Sequence, residues 1–195
     1  MRPTVEDLQA IWLFTYSRAS LLQAAEFFAE LDVVEPESVQ GRALIEATLI
    51  AYARPFTVCF LPPNQKKVNG PLKDVSPPEH LMEVHKQVLI LRNTVIGHKD
   101  PTAPQNIVRV EIHPPKVSLN GAMVGGVLPP LKRSLGELST YFVKHCESNL
   151  SRLNKTYRSE FMKHPPGQYE LVISEPPADW LIPFRPRSGE NVRLS

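Results

Sequence analysis

The chain has only two cysteines, Cys59 and Cys146, in 195 residues. That is too few for a disulfide framework or a cysteine-based zinc site. Each lies in an apolar stretch that reads as helical, so both are expected to be buried free thiols. Net charge is equally scarce, with 22 Lys and Arg against 20 Asp and Glu. Together with a hydrophobic share of 42%, this balance excludes a disordered polyelectrolyte. It also excludes nucleic-acid binding through bulk charge, so any such contact must be local. Long apolar runs are missing. The longest, around Ala43 to Ala53, is interrupted by Glu46 and falls short of a bilayer span. Glu6 and Asp7 precede the short apolar run Ala10 to Phe14, which does not suit a secretory signal. There is no phosphate-cradling glycine loop, since "VGGV" lacks the lysine and the strand-to-helix setting, and there is no serine hydrolase elbow. The expectation is a soluble cytoplasmic protein with no membrane contact, no metal and no cofactor.

Proline is what the chain has in excess, 20 of 195 residues, against a usual share of about 5%. The prolines fall between periodic segments and mark the joints of one domain large enough for a real core. Thr4 and Asp7 open a helical pattern to about Leu31, with Leu8, Ile11, Leu21, Ala24, Ala25 and Phe28 on one side. A second helix is predicted from about Val39 to Phe60, with Leu44, Ala47, Ile50 and Ala51 inward and Pro55 kinking or ending it. "LPPNQKKVNGPLKDVSPP" reads as a loop carrying Lys66 and Lys67. Ser76 and Glu79 have capping-box spacing, with Pro77 in the first helical position. From there Leu81, Val84, Val88, Leu91 and Val95 form a stripe widened by Met82, Leu89 and Ile96.

After "DPTAP" the period becomes two. Val108, Val110 and Ile112, then Val117 and Leu119, predict two short strands around a Pro-containing turn, with room for a third at Met123 to Leu128. A last long helix follows Pro129 and Pro130, with Leu131, Leu135, Leu138, Phe142, Cys146, Leu150, Leu153 and Tyr157 along one face. The tail offers one strand, "YELVIS", and then "EPPADWLIPFRPRSG", expected to lie extended against the domain or to be mobile. The predicted architecture is a mainly α, up-and-down four-helix-type bundle over residues 1–160. It carries a small β insertion at about 105–128 and a Pro-rich C-terminal extension over 161–195.

The third helix ends on "LRNTVIGHKD", with Arg92, Asn93 and His98. Basic residues at a helix C-terminus commonly cap the last carbonyls and complement the dipole. In a continuous helix Arg92 and His98 would lie about 120° apart. Gly97 can stop the helix and re-aim His98, and Asp100 with Pro101 forbids regular continuation. The segment resembles the motif of HEPN domains, in which an arginine and a following polar residue precede a histidine by four to six intervening residues at the end of a long bundle helix. It is similar to the helix-end segment of HEPN-like proteins of the prokaryotic defence type. The likeness covers about residues 5–160 in architecture, and about ten residues in specific sequence. The bare spacing is expected about once by chance in such a chain. Arg158 and His164 also fit it, but Ser159 follows that arginine and the pair lies beyond the main apolar stripe.

The resemblance implies a metal-independent RNA endonuclease with Arg92, Asn93 and His98 as catalytic residues. It places such a protein in a toxin–antitoxin or phage-defence system, with an antitoxin protein as a further partner. It also implies a homodimer in which two motifs face each other across a composite site. Histidine suits proton transfer near neutral pH, and arginine donates to two phosphate oxygens at once. Asn93 would donate to phosphate or hold the His98 tautomer. Lys66, Lys67, Lys99 and Arg109 are candidates for gripping the RNA backbone. Two alternatives stand beside this reading: a non-catalytic HEPN-like binding or scaffold protein, and an unrelated bundle whose helix cap imitates the motif. On the structural side, Arg92 would pair with an acidic residue, His85 would be an exposed or partly buried helical histidine, and Arg54 would sit in a structural ion pair.

Overall fold

Thr4 and Asp7 cap each other. The Thr4 hydroxyl accepts from the Asp7 amide at 3.2 Å, and the Asp7 carboxylate accepts from the Thr4 amide at 3.1 Å. This pairing satisfies donors that a helix start would otherwise leave orphaned, and it launches α1, Val5–Glu30. The computed structural model describes residues 2–61, 66–93, 106–113, 116–123, 131–173 and 180–183. Among them α1 is followed by α2 (Val39–Ala53), α3 (Glu79–Leu91) and α4 (Leu131–Phe161). The same residues hold three antiparallel strand pairs: β1 (Val58–Leu61) with β2 (Lys66–Asn69), β3 (Asn106–His113) with β4 (Lys116–Met123), and, after α4, β5 (Tyr169–Leu171) with β6 (Leu181–Pro183). The fold is mainly α. No helix among the described residues is long and apolar enough to cross a membrane.

α1 and α4, about 39 and 46 Å long at 1.5 Å per residue, pack along each other, while α2 lies against α1 and α3. The main core joins Leu21 and Ala24 of α1, Leu49 and Tyr52 of α2, Leu81, Val88 and Leu91 of α3, and Leu135, Leu138, Phe142 and Cys146 of α4. Of the predicted α4 stripe, Leu135, Leu138, Phe142, Cys146, Leu153 and Tyr157 are buried and Leu150 is half-buried, while the side chain of Leu131 lies outside the described residues. The inward face of α2 is rotated from expectation. Thr48, Leu49, Tyr52 and Ala53 are buried with Ala51, while Leu44, Ala47 and Ile50 are half-buried. α2 meets two partners, so its buried surface is set by both rather than by one apolar stripe.

The second helix stops at Ala53 instead of Phe60. Pro55 has no amide to donate and its ring opposes a continuing helix, so Arg54–Phe56 tighten into a single 3-10 turn. The β-branched and aromatic residues that follow enter β1. The expected loop is thus partly a hairpin, with Lys66 opposite Leu61 and Lys67 opposite Phe60. Cys59 lies on this strand, half-buried, and not in a helix. After β2 the chain folds back onto the 3-10 turn, and the Leu72 amide donates to the Pro55 carbonyl at 3.1 Å. Gly70 touches the same carbonyl so closely that a Cβ there would collide with backbone. Gly70→Ala is therefore expected to destabilise the fold by about 1–3 kcal/mol, read as a lower urea midpoint at unchanged slope.

The Ser76–Glu79 capping box does not form. Pro78 is the N-cap, with no side-chain cap bond. Each proline biases the residue before it toward extended backbone, so the helix begins only after both. The Ser76 carbonyl instead accepts from the Tyr141 hydroxyl at 3.1 Å. β3 and β4 pair in register from Asn106 opposite Met123 to His113 opposite Lys116. Met123 thus closes β4, and the rest of the third strand expected there, 124–128, lies outside the described residues. The tail packs back through Ile173 and Trp180, which form a second small core with Leu8. The Tyr157 hydroxyl donates to the Asp7 carboxylate at 2.5 Å, tying α4 to the cap of α1.

Candidate functional site

Regular helix ends at Leu91, and Arg92 and Asn93 continue in a wider, π-type turn. Arg92 keeps helical angles (φ −57°, ψ −43°), and its amide donates to the carbonyls of Val88 and Leu89. The side chain is half-buried and that of Asn93 is exposed. Arg92 Nη1 donates to Asn93 Oδ1 at 2.9 Å. The expected acidic partner of Arg92 is absent among the described residues, where the arginine is paired with a neutral amide. A guanidinium has five N–H donors, and the bond to Asn93 takes one. The Asn93 amide nitrogen remains a donor as well. This end of α3 therefore offers a cation and several donors to an anion with more than one oxygen.

His98 and Lys99 lie outside the described residues, as do Gly97, Val95 and Ile96 of the predicted stripe. Lys67 is exposed on β2, and no hydrogen bond or ion pair among the described residues links it to Arg92. Arg109 stands on β3 opposite Asn120. The second spacing match resolves differently. Arg158 is exposed on α4, whereas the His164 ring packs edge-on against Trp180 at 5.8 Å. Arg54 is exposed, has no ion-pair partner among the described residues, and donates to the neutral Gln23 Oε1 at 3.3 Å.

Sequence reasoning missed His85. Far from exposed, it is buried in an aromatic cage, with Phe56 at 4.7 Å and Phe142 at 5.5 Å between ring centroids. Its Nδ1 lies 2.9 Å from the Tyr52 hydroxyl. The phenol is the natural donor to an imidazole nitrogen, which leaves the His85 proton on Nε2. Burial pushes the His85 pKa down and that of Tyr52 up, so both stay neutral. The spacing signal was present: His85 is four residues after Leu81 and three before Val88. It lies seven residues before Arg92, about 10 Å along the axis, in the core and not at the helix end.

Burial also disfavours the thiolate form of both cysteines. It lifts the Cys59 pKa, and it raises that of Cys146, with Glu147 adding to the effect, to about 11. Among the described residues no three His, Cys, Asp or Glu side chains converge to hold a metal. Compared with family models, curated proteins and solved structures, the chain matches none.

Proposed function

We propose that the chain is a HEPN-like RNA endonuclease acting without a metal, with its site at the end of α3. The supporting observation is the Arg92–Asn93 pair, in which a guanidinium with no acidic partner among the described residues stands beside a neutral amide at the terminus of a core helix. In this reading the 2′-oxygen of a nucleotide attacks its own 3′-phosphate. The new P–O2′ bond forms as the P–O5′ bond breaks, giving a 2′,3′-cyclic phosphate and a free 5′-hydroxyl. Arg92 carries the charge that accumulates on the phosphate oxygens. His98 takes the 2′-hydroxyl proton, and the His98 of a second copy returns one to the leaving 5′-oxygen. A homodimer with a composite site, which the resemblance implies, would supply both the acid and the base. A toxin–antitoxin or phage-defence setting, with an antitoxin protein as partner, belongs to the same proposal.

The test is incubation of wild type, Arg92→Ala and His98→Ala with a panel of single-stranded and structured RNAs in EDTA, after matching their circular dichroism. Cleavage by wild type, at least tenfold slower in both variants, is the expected result. Equal cleavage by all three would remove these residues from the site. No cleavage by wild type would favour the non-catalytic scaffold.

A further inference from the structure

α4 turns Leu135, Leu138, Phe142, Cys146, Leu153 and Tyr157 to the core. At about 100° per residue the opposite face carries Lys144, Ser148, Ser151, Lys155 and Arg158, and all five are exposed. An open depression runs along this face, with Lys144, Ser148, Ser151, Arg152 and Lys155 in its lining. Acidic groups nearby are already engaged. Glu147 accepts from Arg18 of α1 at 2.9 Å, and Glu160 accepts from Lys163 at 2.9 Å. Arg152 acts on Asp7, where its charge helps to hold the carboxyl pKa down. Among the described residues no carboxylate lies within salt-bridge distance of Lys144, Lys155 or Arg158. A chain of near-zero net charge thus gathers, on one face of one helix, cations that no carboxylate among the described residues compensates.

From Lys144 to Arg158 the axial distance is about 21 Å, long enough to follow several successive phosphates of one strand. The cations are interleaved with hydroxyls. Ser148 donates to the Lys144 carbonyl at 2.9 Å, while no protein partner claims the Ser151 hydroxyl among the described residues. Protein contacts centre on buried aromatic or aliphatic anchors, and the lining of this depression is polar and charged throughout, with Glu147 its one acid. A phosphate chain needs only cations and donors.

We propose that this face of α4 binds the phosphate backbone of a single nucleic-acid strand through Lys144, Lys155 and Arg158, with Arg152 at its edge. Identifying that strand as RNA rests on the endonuclease reading; the phosphate contact does not.

The test uses the full chain and a labelled 20-nucleotide 2′-O-methyl RNA, which lacks the attacking hydroxyl and stays intact. Fluorescence anisotropy across a salt series compares wild type with the triple variant Lys144→Ser, Lys155→Ser, Arg158→Ser. At about 0.7 per phosphate contact, loss of three contacts should reduce the slope of log K against log salt by about 2. Affinity should fall at least tenfold at 0.1 M salt. The melting temperature should stay within about 2 °C, since these side chains face solvent. A wild-type slope in the triple variant, or no binding by wild type, would overturn the proposal. So would a polyglutamate peptide competing as well as RNA, which would point to an acidic protein instead. The two proposals fail separately: an unchanged slope with RNA cleavage intact sinks only this one, and a reduced slope without cleavage sinks only the nuclease.

Discussion

Phe142→Ala is expected to cost about 3–5 kcal/mol of stability, a large part of the 5–15 kcal/mol that holds a typical domain. The Phe142 side chain is fully buried, and its ring meets four others, those of Phe56 at 4.8 Å, Tyr141 at 5.1 Å, His85 at 5.5 Å and Tyr52 at 6.4 Å. Those rings come from α2, the 3-10 turn, α3 and α4 itself, so the cavity left by alanine opens where three helices meet and no single segment can collapse into it. Edge-to-face pairs add about 0.5–1.5 kcal/mol each beyond simple burial. Urea unfolding of wild type, Phe142→Ala and Phe142→Leu measures this directly. Leucine should lose clearly less than alanine, because it refills most of the volume. A loss below about 1 kcal/mol for alanine would mean that the aromatic cluster is not the centre of the core.

Acid should weaken the same cluster. Burial holds the His85 pKa below its ordinary value of about 6.5 in the folded protein. On acidification the unfolded chain therefore takes up this proton first, and stability falls. The contribution of neutral His85 is complete above about pH 6.5, declines as pH drops below it, and levels off below the folded pKa. Within that window the slope reaches up to about 1.4 kcal/mol per pH unit. The groups around the ring are Tyr52, which stays protonated, and the uncharged Phe56 and Phe142, so no carboxylate among the described residues of the cage opposes the effect. His85→Gln keeps an acceptor for the Tyr52 hydroxyl and cannot be protonated. Subtracting its stability curve from that of wild type between pH 7.5 and 5 removes the other histidines from the comparison. Parallel curves would show that His85 does not titrate with folding.

Local chemistry was the readable part of this chain. The Thr4–Asp7 cap, the α4 stripe from Leu135 to Tyr157 and the alternation of β3 and β4 each depend on residues a few positions apart. Their spacing carried them into the structure. The Ser76–Glu79 pair had equally good spacing and failed, because two prolines hold the backbone extended and Tyr141 takes the Ser76 carbonyl. At the candidate site the position of Arg92 and Asn93 at a helix end was legible. Their bond to each other was not, since neighbouring residues do not reveal which side chains will meet.

The sequence by itself determined where α1, α2 and α4 start and which side of α4 is apolar. These are consequences of helical period, capping and backbone preference, all short in range. Only the tertiary structure decided that α2 presents Leu49 and Tyr52 inward, that Val58–Leu61 pairs with Lys66–Asn69, and that Trp180 returns to cover Leu8. The same packing placed His85 inside an aromatic cage. Each of those outcomes depends on which surfaces residues far apart in sequence bury together, and an apolar position specifies that it must be covered without specifying by what.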